Sequence, residues 1–537
     1  MGAVMTVGCV ISPPADQMSL STSADAVALL SRPGTYPDRP PAVECIETHI
    51  SWVFLTERHA YKLKKPVAYD FVDFSTLEAR RLACEEEVRL NRRLAPDVYL
   101  GVVPLRRDFR GRLTLGGKGT PVEWVVAMRR LPHSQTLESL LRRGLCGPDQ
   151  VERLGRFLAE FYRQLPPVTV RTEEYRRAIE EHVRANAQEL LQPRHGLSPQ
   201  LVRRLHDQQL RYLALWPAIF DRRVCDGRIV DGHGDLRPEH IYFLPEPVVI
   251  DGIEFDRQLR QLDVVDELSF LAMECDQLGA PQVGQRILQH YVRAAGDQPP
   301  DSLVAFYKAY RACVRAKVHA LRADQTEAPP HEVQLERTRR YLELAEKYHP
   351  RLGPTWLLVV RGLSGSGKST VARALAEQLC MECLQTDAVR REMFESQPAP
   401  ADFDQGCYEP QKRQAVYMRL FEQAGQRLAQ GLSVILDGTF LSAASRREAV
   451  ALADRYGAQP VIVVCRCPDM LADQRIARRL ESGEALSDAR AETRQGQRQL
   501  EEPDETPLPT CELDTTRSIS TAVGAVCNFL RLSTVVS

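Results

Sequence analysis

The chain has 537 residues, more than the about 250–300 that a single core holds, so two or more domains are expected. Its apolar share of 44%, charged share of 26% and net charge of −1 suit a globular protein and give no sign of a broad polyanion-binding face. No run approaches the about 18 apolar residues of a membrane span, the start MGAVMTVGCVISPPADQ lacks a basic segment before an apolar one, and the cysteines follow no disulfide spacing. A cytoplasmic protein with no membrane partner is expected.

Residues 1–25 are polar and contain proline and serine, which predicts a disordered tail. Strand patterns follow at Val43–His49, Trp52–Thr56 and Ala60–Lys64, then a long helical pattern over Leu77–Leu94. Further strand-like segments fall near Val102–Leu105, Arg112–Leu115 and Trp124–Met128. From Leu137 to Leu215 the spacing is mostly helical, with breaks at Pro166–Pro167 and Pro193.

A short strand-rich patch over Ile229–Phe255 carries the first chemistry. It reads VDGHGDLRPEHIYFLPEPVVIDGIEFD from Val230 to Asp256. Asp235 sits in a tight loop where it could take a proton from a hydroxyl. Asp251 follows the apolar run Val248–Ile250, where it could hold Mg²⁺ on nucleotide phosphates. At this point the sequence resembles the aminoglycoside phosphotransferase branch of the protein-kinase-like fold, whose catalytic loop reads H-G-D-L-H-x-x-N. The resemblance implies Asp235 as catalytic base and Asp251 as metal aspartate. It also implies that Lys62, in Ala60-Tyr61-Lys62, grips phosphate and that Glu87, in CEEEVRLNRRL, pairs with it. Lys64 shares the strand face of Lys62 and rivals it, and Glu85 and Glu86 rival Glu87. The family's metal-binding asparagine falls on His240. Either His240 takes a place in the metal site, or it hydrogen-bonds the loop instead. The segment THISWVFLTERHAYK contains no glycine, so no glycine-rich phosphate loop is evident.

Helical patterns continue to Tyr348. Ala328-Pro329-Pro330, a charged helix over His331–Tyr348, and then Pro350, Gly353 and Pro354 read as a connector. The expected division is a kinase-like domain over residues 26–352 and a second domain over 353–537.

The second domain opens on WLLVVRGLSGSGKST, residues 356–370. Gly362, Gly367, Lys368 and Ser369 fit G-x-x-x-x-G-K-[ST] between an apolar strand and an amphipathic helix. Backbone N–H groups of Ser364, Gly365, Ser366, Gly367, Lys368, Ser369 and Thr370 can converge on phosphate at a helix N-terminus. Lys368 would reach the β- and γ-phosphates of ATP, and the Ser369 hydroxyl would hold Mg²⁺. Strands alternate with helices from there on, near Glu382–Thr386, Ser433–Leu436, Pro460–Arg466 and Thr510–Leu513. With the P-loop strand they predict a five-stranded parallel sheet covered on both faces.

Three features support phosphoryl transfer by this domain. Asp387 ends the second strand, where it could accept a hydroxyl proton, and Arg390 could grip an anionic acceptor. Asp437 ends an apolar strand about 70 residues past the P-loop, as a Walker-B-type metal ligand would. Arg475, Arg478 and Arg479 could close over the triphosphate. With TDAVRREMF, VILDGTF and the segment SDARAETRQGQRQ from Ser487, this half resembles small P-loop kinases related to polynucleotide kinase, zeta toxin and adenylate kinase. Beyond residue 25 the whole chain resembles bacterial two-domain proteins, in which an aminoglycoside-phosphotransferase-like domain is fused to an AAA-type or zeta-toxin-like ATP-binding domain.

The resemblance implies an ATP- and Mg²⁺-dependent kinase that acts on a small-molecule hydroxyl acceptor. Two alternatives stand beside it. One is a nucleotide-gated regulatory protein whose kinase-like domain has lost turnover. The other is a polynucleotide 5′-kinase, disfavoured by the balanced charge but open.

Overall fold

The computed structural model describes residues 17–69, 72–324, 330–394, 409–482, 491–503 and 509–535. The chain divides into two compact units, one formed by residues up to His195 with Ile219–Ala345 and the other by Gly196–Ala218 with Glu346 onward.

The first unit is kinase-like. Strands β1 (Glu44–Glu47), β2 (Ser51–Leu55), β3 (His59–Lys64), β4 (Tyr99–Arg107), β5 (Leu113–Leu115) and β6 (Thr120–Arg129) form an antiparallel sheet in the order β1-β2-β3-β6-β4-β5. Alternation sorts its side chains to two faces. One face packs Phe54, Tyr61, Leu63, Val125 and Ala127 with Ala26 and Leu30 of the helix Gln17–Leu30. The helix begins at Gln17, so residues 17–25 are helical where a disordered tail was expected; residues 1–16 lie outside the described residues. The other face packs Ala60, Val126 and Met128 with Cys84 and Val88 of the helix Leu77–Asn91, which Thr76 caps through its hydroxyl.

Helices dominate the rest of this unit, chiefly Pro148–Gln164, Thr172–Leu190, Val264–Gln277, Pro281–Ala295 and Asp301–Asp324. Among the described residues, four short strands lie between Ile229 and Asp263. β7 (Ile229–Asp231) pairs with β10 (Gln261–Asp263), and β8 (Ile241–Phe243) pairs with β9 (Pro247–Val249). The loops between these pairs carry His233–His240 and Asp251.

The second unit is a five-stranded parallel sheet, in the order β12-β13-β11-β14-β15. Its strands are β11 (Trp356–Arg361), β12 (Glu382–Gln385), β13 (Val434–Asp437), β14 (Gln459–Arg466) and β15 (Thr510–Asp514). β11 is central and buried throughout. Trp356, Leu358 and Val360 face one apolar layer, and Leu357 and Val359 face the other. A strand covered on both faces must be apolar without alternation, as this one is.

The helix Pro199–Leu215 belongs to this unit, although it precedes β11 by some 140 residues of chain. Leu215 joins the core beside β11. Arg211, itself buried, donates through Nε to the Leu379 carbonyl at 3.0 Å and through Nη2 to that of Cys380 at 3.2 Å, at the end of the P-loop helix Lys368–Leu379. Its partners are distant in sequence, so no local pattern marks it. Among the described residues no helix is long and apolar enough to cross a membrane.

Candidate active sites

In the second unit the P-loop joins β11 to the helix Lys368–Leu379. Gly365 and Gly367 have φ of 78° and 85°, in the region that favours glycine. A Cβ on Gly365 would lie 2.6 Å from the Ala472 carbonyl, and one on Gly367 would lie 3.1 Å from Arg475 Nη1. The glycines thus let the helix Asp469–Ser482 close against the loop. Gly362, Ser364, Ser366, Lys368, Ser369 and Thr370 complete the turn at the helix N-terminus. Thr515, just past β15, ties it, donating to the Ser366 carbonyl at 2.6 Å.

Asp437 ends β13 next to β11, and register places Gln385 of β12 beside it. The Asp437 side chain is buried, and Oδ1 has no hydrogen-bond donor. Burial pushes its carboxyl above the usual range, against the pull of Lys368 and the Ser369 hydroxyl. An oxygen-only donor set with one buried, unpaired oxygen fits a hard cation such as Mg²⁺. Asp387, in the first turn of the helix Thr386–Phe394, lies close enough to act on Asp437. Arg390 forms an ion pair with Asp387, one turn away.

Arg475 donates to Thr515 Oγ1 at 3.1 Å and to the Thr515 carbonyl at 2.7 Å, beside Gly367. Arg478 is exposed, and the Arg479 side chain lies outside the described residues. Sequence reasoning missed Gln497, whose Oε1 accepts from the Ser364 N–H at 2.9 Å. Its helix, Ala491–Gln499, is held by Arg494 and Arg498 on Asp469, at 2.6 Å and 2.7 Å. The only signal for it lay in the segment from Ser487.

In the first unit, Lys62, Glu87, Asp235, His240 and Asp251 converge. Lys62 Nζ lies 2.9 Å from Glu87 Oε1 and 2.9 Å from Asp251 Oδ1. His240 Nε2 lies 3.6 Å from Asp251 Oδ2, and His240 Nδ1 lies 3.8 Å from Asp235 Oδ2. Both candidate lysines reach Glu87, since Lys64 Nζ lies 2.7 Å from Oε2. They differ in what else they meet. Lys62 meets Asp251, whereas Lys64 is wholly buried and pairs with Glu254, a partner not anticipated from sequence. Burial disfavours the charge on Lys62, but Asp251 and Glu87 outweigh it and hold the ammonium well above the ordinary lysine range. Glu85 and Glu86 pair with Arg81 and Arg89 along their own helix.

Asp251 has φ of 63°, a left-handed conformation uncommon outside glycine. Its N–H donates to Tyr99 Oη at 3.1 Å, and the Gly252 N–H donates to Asn91 Oδ1 at 2.8 Å. The Lys62 charge holds the half-exposed Asp251 carboxyl well below the usual range, against partial desolvation. Asp235 is also held low, its burial outweighed by Arg237, His240 and Arg315.

The H-G-D loop hangs on Glu267, which is fully buried in the helix Val264–Gln277. The His233 N–H donates to its Oε1 at 3.0 Å, the Gly234 N–H donates to the same oxygen, and Tyr162 Oη donates to Oε2 at 2.7 Å. His240 bonds within the loop. Nδ1 meets the Asp235 carbonyl at 3.0 Å, and Arg237 Nη2 meets Nε2 at 3.2 Å. The two contacts agree if Nδ1 carries the proton and Nε2 accepts. Replacing each lysine separates their roles: Lys62→Met is expected to abolish any transfer that depends on Asp235 at the smaller cost in stability, because Lys64 still holds Glu87 and Asp251 is half exposed. Lys64→Met is expected to lower stability by about 3 kcal/mol, since it strands Glu254 and half of Glu87 in the interior. Calorimetric unfolding and a transfer assay on both variants check this.

Fold and sites together define a nucleotide-binding protein in which a kinase-like unit precedes a P-loop unit. Residues 357–503 match the AAA domain family. An uncharacterized protein of Mycobacterium tuberculosis, Rv2004c, is 35% identical over 469 residues, spanning 84% of this chain and 89% of its own length. The chain belongs to the same family as that mycobacterial protein. Among solved structures, the GDP complex of aminoglycoside 2′-phosphotransferase-IIIa is similar at 15% identity and a TM-score of 0.35, covering 60% of this chain and 98% of that one. The M. tuberculosis APS kinase CysC, in complex with AMPPNP and APS, is similar at 22% identity and a TM-score of 0.25, covering 33% of this chain and 99% of that one.

Proposed function

We propose that the protein is an ATP- and Mg²⁺-dependent phosphotransferase. Its P-loop unit moves the γ-phosphoryl group to a hydroxyl acceptor, and its kinase-like unit phosphorylates a small molecule. The observation that carries the reading is the buried Asp437 carboxylate, with one oxygen unpaired, beside Lys368 and Ser369 at the P-loop. Mg²⁺, when bound, neutralises phosphate charge; Ser369 and Asp437 are the residues that would hold it. Lys368 and Arg475 then stabilise charge that develops on the transferring group. Asp387 takes the acceptor's proton once Arg390 turns from it to the acceptor. In the kinase-like unit Asp235 is the base, Lys62 grips phosphate under the hold of Glu87, and Asp251 is the metal aspartate.

The test supplies labelled ATP to the full chain with metabolite alcohols, aminoglycosides and 5′-hydroxyl oligonucleotides in separate pools. Label is expected on an acceptor, and Asp387→Asn is expected to slow its transfer by the P-loop unit about 100-fold. Transfer unchanged in Asp387→Asn would remove that residue as base. Label on the oligonucleotide would instead support a polynucleotide 5′-kinase.

A regulatory role for the kinase-like unit is favoured by one observation: Arg237 occupies Asp235 at 2.9 Å, and His240 is engaged within the loop. Nucleotide binding that depends on Lys62, with no Asp235-dependent transfer to any pool, would establish it.

A further inference from the structure

The chain is close to neutral as a whole, but its charge is not spread evenly. From Pro104 to Val122 it carries Arg106, Arg107, Arg110, Arg112 and Lys118 against a single acid, Asp108. This stretch is the end of β4, all of β5 and the two loops that join β4, β5 and β6 at one edge of the antiparallel sheet. Phe109 stands in the first of these loops and is 92% exposed. An exposed apolar side chain is ordinary by itself. This one is set among cations that face solvent as it does.

The tip has a fixed backbone. Asp108 uses its carboxylate on the turn, where Oδ1 accepts from the Arg110 N–H at 2.8 Å and from the Arg112 N–H at 2.9 Å. The Gly111 N–H donates to the Asp108 carbonyl at 3.0 Å. The second loop, Gly116-Gly117-Lys118-Gly119, closes on the first. Arg106 Nη1 donates to the Gly119 carbonyl at 2.7 Å, and a Cβ on Gly119 would collide with the Arg107 carbonyl. Glycine at 119 therefore lets the backbone beside Lys118 lie against Arg107 and Asp108.

Most of the charge at this tip is unpaired. Arg107 meets Asp25 at 3.5 Å. Arg112 and Lys118 are exposed, and among the described residues neither side chain makes a hydrogen bond or an ion pair. Arg110 is exposed too and stands over the Phe109 ring, 5.2 Å from its centroid. That pair discriminates between polyanions. Phe109 is the one large apolar side chain exposed in this stretch, so a bilayer would gain a single ring and would have to draw the Arg110 charge after it. A single-stranded nucleic acid uses both groups at once. A base stacks on the open face of the ring, and guanidinium and ammonium groups meet the phosphates on either side.

We propose that this hairpin tip is a docking surface for single-stranded nucleic acid, with Phe109 stacked on a base and Arg110, Arg112 and Lys118 on the phosphates. The contact tolerates sequence, because stacking and phosphate pairing read no base edge. It uses none of the residues assigned to phosphoryl transfer, and it does not depend on which hydroxyl the protein phosphorylates.

The test titrates the full chain into a labelled single-stranded oligoribonucleotide of about 12 nucleotides and follows fluorescence anisotropy. Binding is expected to weaken about 20-fold from about 50 to about 200 mM salt, through the phosphates that Arg110, Arg112 and Lys118 neutralise. Phe109→Ala is expected to weaken it about tenfold at either salt. Arg110→Gln with Arg112→Gln is expected to cut the slope against salt to about a third. All three side chains are exposed, so the thermal midpoint of each variant should match the parent. Phosphatidylcholine vesicles carrying about 30% phosphatidylserine are expected not to sediment the protein. The proposal is overturned by no binding at about 50 mM salt, by binding that both variants leave unaltered, or by sedimentation with the vesicles that Phe109→Ala abolishes.

Discussion

Replacing Lys368 by alanine, in a chain that also carries Asp235→Asn, is expected to cut ATP turnover roughly 100- to 1,000-fold. With Asp235 as the base proposed for the kinase-like unit, that change silences the unit, and turnover reports the P-loop alone. Lys368 opens the P-loop helix and, with Arg373, is a cation that acts on the buried Asp437. On the proposed reading its loss removes a donor aimed at the transferring phosphate, and it leaves Asp437 buried with less compensation. Fold stability is expected to change little, because Lys368 makes no structural ion pair among the described residues. Turnover that persists at the parent rate sinks the assignment of this unit as the ATP-consuming one. The measurement needs the full chain. A fragment starting at residue 353 would lack the helix Pro199–Leu215, exposing the core around Leu215 and removing the Arg211 bonds to Leu379 and Cys380.

The second large effect is expected at Glu267. Alanine there removes the acceptor for the His233 N–H, the Gly234 N–H and Tyr162 Oη in one step, inside the fold. The cost is about 3–5 kcal/mol, since buried donors left without partners lose water and protein alike. The backbone of the H-G-D loop would no longer be held, and Asp235-dependent transfer should fall with it. Glu267→Gln separates the two contributions. Its amide keeps one acceptor oxygen, so most of the stability should return while loop geometry, read as KM against kcat, stays altered. A thermal midpoint within a degree of the parent for Glu267→Ala would show that the loop holds itself.

Part of this architecture was legible because its causes are local. A glycine-rich turn between an apolar strand and a helix can be recognised from adjacent residues. So can the alternating strands around Lys62, and the helix that brings Glu87 to it. Glu254, Glu267 and Gln497 were not legible. Each is a polar residue in an ordinary stretch, and its importance comes from a partner 33 to 190 residues away. The choice between Lys62 and Lys64 was similarly closed to pattern. Both point to one face of one strand, and only the positions of Asp251 and Glu254 across the cleft divide them.

By itself the sequence determined a parallel P-loop sheet, strand segments before it that resemble a kinase-like fold, and the residue types proposed to handle phosphate. These follow from hydrophobic period, glycine placement and charge at strand ends, all read over short windows. Only the tertiary structure decided that the helix Pro199–Leu215 completes the second core, that His240 serves the loop through both ring nitrogens, and that arginines gather at Asp235. Those outcomes depend on which distant surfaces bury together. Burial decides which polar groups must find partners, and no short window of sequence contains both members of such a pair.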